Sequence, residues 1–480
     1  MSIRLTALYL MVAGLSIYAW KDWFKSLCGL ILLMAVIEHG DMPRTILGIQ
    51  GLNPWNVLFS AIFLAWLASR RSEGLTWDMP QHLSVLLAVF LGVIVFGVVR
   101  AALDLDRIPG YTAGDLLSEE LVNTIKWVMP SLLLFDGCRT RKRVIIAFTC
   151  LLVMYCLIAV QVVKRMPLQA AFSESSATIM HARRRLNEGV GYHATDLSVM
   201  LGGACWGLVA ALPLAPKRLH KVVVAAAAGM VAFGQVLTGG RAGYVAWGAT
   251  GLVLCLLKWR KYLILAPIVV LSLPVVFPGA TARMLEGFGQ TDVTGETAVD
   301  EFAVTSGRNL IWPHVVEKIK DSPWIGHGRR AMQRTGLQKA LLDQYGSGEA
   351  VAHPHNLYLE TLLDNGILGS IPIWLFYALL VVYAAGLFRS TNRLYSAVGG
   401  LAVALMLTSL IGGLSGQHYF PQEHTLGIWA AVFISLRVHL EEKRARVDAD
   451  MCGDLLGPHA VLLGRSDPVT HASRFQKVPE

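Results

Sequence analysis

The residues best placed to do chemistry in this chain gather in its last third. The run His353-Pro354-His355-Asn356-Leu357-Tyr358-Leu359-Glu360 sets an imidazole at the threshold of a helix whose positions Leu359, Leu362 and Leu363 are apolar. Imidazole exchanges a proton near neutral pH, so a fixed His355 would suit general-base work, although a single loop histidine can equally be inert. Upstream stand many arginines: Arg183, Arg184 and Arg185 in one segment, and Arg283, Arg308, Arg329, Arg330 and Arg334 in another. The guanidinium fork matches phosphate oxygens, so such a set points to an anionic ligand; long loops that tolerate any charge are the alternative. Arg241 is the sharpest case. In Leu237-Thr238-Gly239-Gly240-Arg241-Ala242-Gly243, two glycines turn the chain and a new apolar helix begins, so its N-terminal amides would face the same side as the guanidinium. The competing reading is an interfacial arginine snorkelling to headgroups.

These groups must be carried by elements that the composition defines. With 54% hydrophobic and 16% charged residues, the chain holds more apolar side chain than a soluble core of this length uses. Apolar runs approaching twenty residues recur, and only a helix satisfies its own backbone in hydrocarbon. About thirteen such segments run from Leu5–Trp20, expected as an uncleaved first span, to Leu426–Val438; Leu121–Phe135, which contains Lys126, is the weakest. Short connections rich in Lys and Arg (Arg139 to Arg143, Lys217 to Lys221, Lys258 to Lys261, Arg389 and Arg393) alternate along the chain and fall on one face, read as cytoplasmic. The opposite face then holds the acidic connection Asp104–Glu120, the segment Lys164–Thr195, the turn Gly239–Ala242 and the long segment Pro278–Pro354. A net charge of +9 is explained by these membrane connections, without a nucleic-acid partner. Seven cysteines lie mostly within spans and show no paired metal spacing, so neither a zinc site nor a disulfide framework is indicated.

The expected fold is therefore an all-α, polytopic bundle of about 12–13 spans with one large helical outer loop. It divides into an N-terminal bundle (1–277), the loop (278–354), C-terminal membrane helices (355–438) and a polar tail with little structure of its own (439–480). Within the loop, Leu310, Ile311, Trp312, Val315, Val316 and Ile319 are spaced as one face of a helix, with Ser306 as its expected cap. Trp324-Ile325-Gly326-His327-Gly328 reads as a tight turn that lets backbone approach closely, and a flexible part containing Gly346 and Gly348 follows. Glu360 and Asp364 read as solvated helix charges, and Asp104-Leu105-Asp106 as an acidic helix end rather than a metal-nucleotide motif.

The run His355-Asn356, nine residues, Gly366, two residues, Gly369 resembles the H-N-x9-G-x2-G signature of bacterial O-antigen ligases, a group that includes O-antigen polymerases and protein O-oligosaccharyltransferases. Ser306-Gly307-Arg308 and Pro323 to Gly328 precede it in the order that family's outer loop shows. The resemblance covers Ser306–Gly369 strongly, with weaker likeness at Gly239–Tyr244 and Arg185–Asp196. It implies a glycosyltransferase of the bacterial inner membrane that acts at the periplasmic face, passing a glycan from undecaprenyl diphosphate to an acceptor hydroxyl such as that of lipid A-core, with no cofactor or metal and with inversion. His355 would be the base; Arg241, Arg308 and Arg185, with Asn356 and His353, would contact substrate. A polymerase, a protein O-oligosaccharyltransferase and a transporter of lipid-linked glycan are the alternatives. Polymerases of this kind often carry an Arg followed eleven positions later by Gly, a spacing that the outer arginines here do not show.

Overall fold

The computed structural model describes residues 3–37, 39–40, 42–46, 48–49, 51–108, 110–173, 176–288, 290–291, 297–346, 351–416 and 418–455. They form a helical membrane protein in which every expected apolar segment falls on a helix. Among the described residues six helices are by themselves long and apolar enough to cross a bilayer: Gln81–Ala102, Arg141–Arg165, Ala194–Leu214, Arg218–Leu237, Leu357–Phe388 and Arg393–Ser415. A seventh is possible if Arg260–Val276 and Pro278–Met284, bent by 104°, act as one span. Four more of the expected thirteen segments are the shorter apolar helices Ile3–Tyr18, Trp23–Leu33, Pro54–Ser69 and Arg241–Leu257. At 1.5 Å per residue a sixteen-residue helix such as Pro54–Ser69 is about 24 Å long, less than a hydrocarbon core of about 30 Å.

The centre of the bundle is the pair Ala194–Ala211 and Arg393–Gly412, joined by Arg218–Leu237, Arg241–Leu257 and Leu357–Phe388. Small residues permit this approach: a Cβ at Gly203 would lie 2.5 Å from Thr408 Oγ1, and one at Gly400 2.6 Å from Ala210 Cβ. At one end, Asp78 gathers Arg437, Arg139 and Arg444, Arg143 pairs with Glu73, and Lys258 Nζ donates to the carbonyls of Phe388 and Ser390. At the other end, Arg330 and Arg334 of the long loop pair with Glu119 and Asp104, and Arg329 donates to the Tyr419 hydroxyl. The two groups of connections separated by charge pattern thus sit at opposite ends. The tail departs from expectation, since the last helix continues from Leu426 to Leu455, with Arg437 and Arg444 sharing the Glu441 carboxylate. Residues 456–480, and Gly348 in the loop, lie outside the described residues.

The outer loop is locked to the bundle at a break in Leu357–Phe388. Gly366 adopts φ 60°, ψ −169° inside that helix, which frees backbone groups on both sides of it. The segment 323–328 takes them up: His327 N–H donates to Leu363 O (2.8 Å), Gly328 N–H to Asp364 O (2.7 Å), Ile367 N–H to Pro323 O (2.8 Å) and Leu368 N–H to Trp324 O (3.0 Å). The fit leaves no room for side chains. A Cβ on Gly366 would lie 2.4 Å from the Trp324 carbonyl carbon, and one on Gly326 2.5 Å from the Asn365 nitrogen. The two glycine motifs of the sequence are halves of this one joint. Replacement Gly366→Ala should therefore cost roughly 2–4 kcal/mol from backbone strain and overlap; a thermal-unfolding midpoint in detergent equal to that of the parent protein would contradict the joint.

Candidate active site

Six arginines of the outer end divide by what holds them. Arg329, almost fully enclosed, pairs with Glu120 and with Asp364 (3.3 Å), lies 3.4 Å over the Phe420 ring, and shares Asp364 with the Tyr419 hydroxyl (3.1 Å). Arg330 takes Glu119 (2.5 Å) and Glu120 (2.7 Å), and Arg334 takes Asp104. These cations are neutralised and bind loop to bundle, so the expectation of an anion site spread over all the loop arginines is corrected. Asp104 is an arginine partner. Glu360 and Asp364 are buried rather than solvated, because the 323–329 segment and the 416–422 connection close over their helix face.

Arg183, Arg241 and Arg308 differ. Among the described residues no carboxylate lies within ion-pair distance of them. Arg241 donates to the carbonyls of Glu286 (3.2 Å) and Ala303 (2.7 Å) and to Ser306 Oγ (2.6 Å). Arg308 donates to the carbonyls of Thr305 (2.9 Å) and Ser415 (2.6 Å), leaving its buried Nε–H without a partner. Arg183 donates to Thr195 Oγ1 (3.3 Å). Burial holds the Arg308 pKa below its ordinary value, and the charges of Arg241 and Arg183 lower it further. Neutral carbonyl and hydroxyl oxygens aim these guanidinium groups without discharging them, which is what an anion site requires. Arg283 also lies within range of Arg241 and Arg183, but Glu286 compensates it. Of the candidates, Arg241 and Arg308 come together. Arg185 does not join them: it is exposed on the short helix Arg184–Gly189, and Arg183 occupies the corresponding inward position.

Local backbone explains the placement. Ser306 (φ 54°) and Gly307 (φ 79°) are both left-handed and break Glu301–Thr305 from Arg308–Asp321. Ser306 is thus not the helix cap; its hydroxyl faces Arg241, and Gly307 occupies the cap position. Gly239 (φ 65°) turns the chain and Gly240 caps the helix that Arg241 begins.

His355 is half-buried and left-handed at φ 49°, uncommon for a residue with a Cβ. Asn356 follows as the cap of Leu357–Phe388, its Oδ1 accepting from Tyr358 N–H (3.0 Å) and Leu359 N–H (3.1 Å). Trp312 Nε1–H donates to Pro354 O (3.0 Å), tying the loop helix to the same turn. His355 N–H donates to His353 Nδ1 (3.3 Å), and the two rings lie edge to face with centroids 4.1 Å apart. Burial, then the neighbouring His353 and Arg308, push the His355 pKa down to about 3; burial and His418 push His353 down to about 4. Both imidazoles are therefore neutral at pH 7, the state in which a ring nitrogen accepts a proton. His353 also opens, with His418, Glu360, Lys126 and Trp127, onto a cavity of about 660 Å³.

The sequence reading missed His418. It sits in the connection between Arg393–Gly412 and Leu426–Leu455, with its ring 4.5 Å from that of His353 and its Nδ1–H donating to Glu360 Oε1 (2.8 Å). A histidine between two spans at the outer face was the available signal.

The fold and site define a membrane-embedded helical protein with an arginine-flanked histidine at one end of its bundle. Residues 222–374 match the family model described as O-Antigen ligase. An O-antigen ligase of Pseudomonas aeruginosa is 27% identical over 143 residues, 29% of this chain and 32% of that protein. The similarity thus spans about a third of the relative's length.

The two classes of arginine should separate in stability. Arg329→Met leaves the buried Asp364 without its cation and Glu120 with Arg330 alone, and should destabilise by about 3–5 kcal/mol. Arg308→Ala strands no carboxylate and should cost less than about 2 kcal/mol. Unfolding midpoints of the two variants in one detergent provide the check.

Proposed function

We propose that this protein is an O-antigen-ligase-type glycosyltransferase: at the periplasmic face of a bacterial inner membrane it moves a glycan from undecaprenyl diphosphate to an acceptor hydroxyl, lipid A-core or a related alcohol. The observation that carries the reading is a set of mutually close guanidinium groups held by carbonyl and hydroxyl oxygens rather than by carboxylates, one of which, Arg308, lies within electrostatic range of a neutral histidine. Arg241, Arg308 and, in place of Arg185, Arg183 hold the diphosphate, with the orphan Arg308 Nε–H donating to a phosphate oxygen. His355 takes the proton from the acceptor hydroxyl as its oxygen attacks the anomeric carbon. The bond from that carbon to the phosphate oxygen breaks, its electron pair stays on the diphosphate, and the guanidinium groups stabilise the charge that builds there. Attack opposite the leaving group inverts the anomeric centre. This scheme asks nothing of a divalent ion, because arginine supplies the charge stabilisation a metal otherwise provides. Arrival of the anionic donor beside Arg308 raises the basicity of His355, so the base strengthens as the complex forms. His353 lies next to it and faces the acceptor side.

The test is purified protein in detergent with undecaprenyl diphosphate glycan and a panel of acceptors. His355→Ala should abolish turnover, EDTA should leave it unchanged, and Arg241→Ala should weaken donor use while the protein stays folded. A lipid A-linked product identifies ligation, a carrier-linked ladder polymerisation, and a glycosylated polypeptide transfer to protein. Movement of carrier across liposomes without release of undecaprenyl diphosphate would contradict the enzyme reading.

The pH dependence has a definite sign. With its pKa lowered, free His355 stays neutral as pH falls through the ordinary histidine range, so kcat/KM for donor should hold until below about pH 5. An acid limb centred near pH 6.5 would contradict the burial of His355 beside Arg308.

A further inference from the structure

We propose that Glu360 and His418 are positioning residues for His355: the Glu360 carboxylate anchors the His418 ring, that ring braces His353, and His353 Nδ1 holds the His355 amide in the left-handed turn that directs its imidazole. The inference rests on His355 being the base. It follows from a continuous chain of contacts that joins three separate elements. Glu360 belongs to Leu357–Phe388, His418 to the connection before Leu426–Leu455, and the two other histidines to the end of the loop. His418 Nδ1 lies 2.8 and 2.9 Å from the two Glu360 oxygens, so its proton is on that nitrogen and its ring plane is set. The ring packs against His353 with centroids 4.5 Å apart and planes tilted by 54°, and the His353 ring stands 4.1 Å from that of His355. Because His353 Nδ1 accepts the His355 N–H, its neutral tautomer carries the proton on Nε2. A left-handed non-glycine residue persists only where its surroundings over-determine it, and this chain supplies the determination at His355.

Charge acts in the same direction. Burial lowers the His418 pKa, but the adjoining Glu360 carboxylate more than offsets this, so His418 is raised above the ordinary imidazole value. A charged His418 in turn disfavours a second proton on His353 or His355. The other groups facing these rings are Arg308 from the loop helix, Arg329 from the docked segment, and His193 and Asp196 from the start of Ala194–Ala211; Asp196 opposes the arginines around His353 and His418.

The experiment compares Glu360→Gln, His418→Gln and the double variant with the parent protein in detergent, counting only monodisperse protein. Each single variant should lower kcat by about a hundredfold, the scale of misplacing a catalytic group, with KM for the undecaprenyl diphosphate donor unchanged. The acid limb of kcat/KM should move to higher pH, and the double variant should lose no more than either single one, as residues acting in series do. Folded variants with parental kcat and an unmoved pH profile, or losses that multiply in the double variant, would overturn the proposal. His355→Ala is run alongside: activity retained there defeats the base assignment itself, whereas loss there with active Glu360 and His418 variants defeats only the bracing.

Discussion

The outer end of this protein depends on a helix that stops being a helix for one residue. The left-handed Gly366 opens the hydrogen-bond ladder of Leu357–Phe388, and the freed carbonyls and amides are taken by the segment 323–328. That docking carries Arg329 into the interior, where Glu120, Asp364 and the Phe420 ring enclose it. One backbone break thus connects the long loop, the 103–122 connection and the 416–422 connection. The same helix begins three turns earlier at Asn356, immediately after His355, so the joint that fixes the loop also fixes the frame in which the histidine stands.

Charge is partitioned around that frame. Arginines with a structural task meet carboxylates, which removes their field from the surroundings. Arg183, Arg241 and Arg308 meet carbonyl and hydroxyl oxygens, which orient a guanidinium but leave its charge intact. The cost of holding such like charges together falls when an anion joins them, and the proposed diphosphate grip rests on that property. The His353–His355 pair joins Arg308 of the cation cluster to the cavity that His353 and His418 line.

Much of this was legible in the sequence. Hydropathy located the helices, because a period of apolar residues in lipid leaves few alternatives, and the basic connections sorted its two ends. Arg241, Arg308, His355 and the glycines at 326, 328 and 366 announced themselves by local pattern. What pattern could not supply was pairing across the chain. Arg308 and Arg329 look alike in one dimension; only the approach of residue 120 and residue 364 makes the second structural. Ser306 reads as a helix cap until two left-handed residues turn its hydroxyl toward Arg241. Arg183 and Arg185 differ only in which side of a short turn they occupy. His418 and Glu360 are 58 residues apart, and neither alone suggests the other.

The central claim is that the carbonyl-held arginines grip a pyrophosphoryl group within reach of His355. It is tested most directly by a cryo-EM structure of the His355→Ala protein, or of the parent with a non-hydrolysable phosphonate analogue, bound to the undecaprenyl diphosphate donor. The account predicts density for both phosphates against Arg241 and Arg308, with an oxygen at hydrogen-bond distance from Arg308 Nε and the anomeric carbon facing residue 355. Phosphate density beside Arg329 to Arg334 instead, or a donor whose anomeric carbon lies on the far side of the bundle from residue 355, would contradict it.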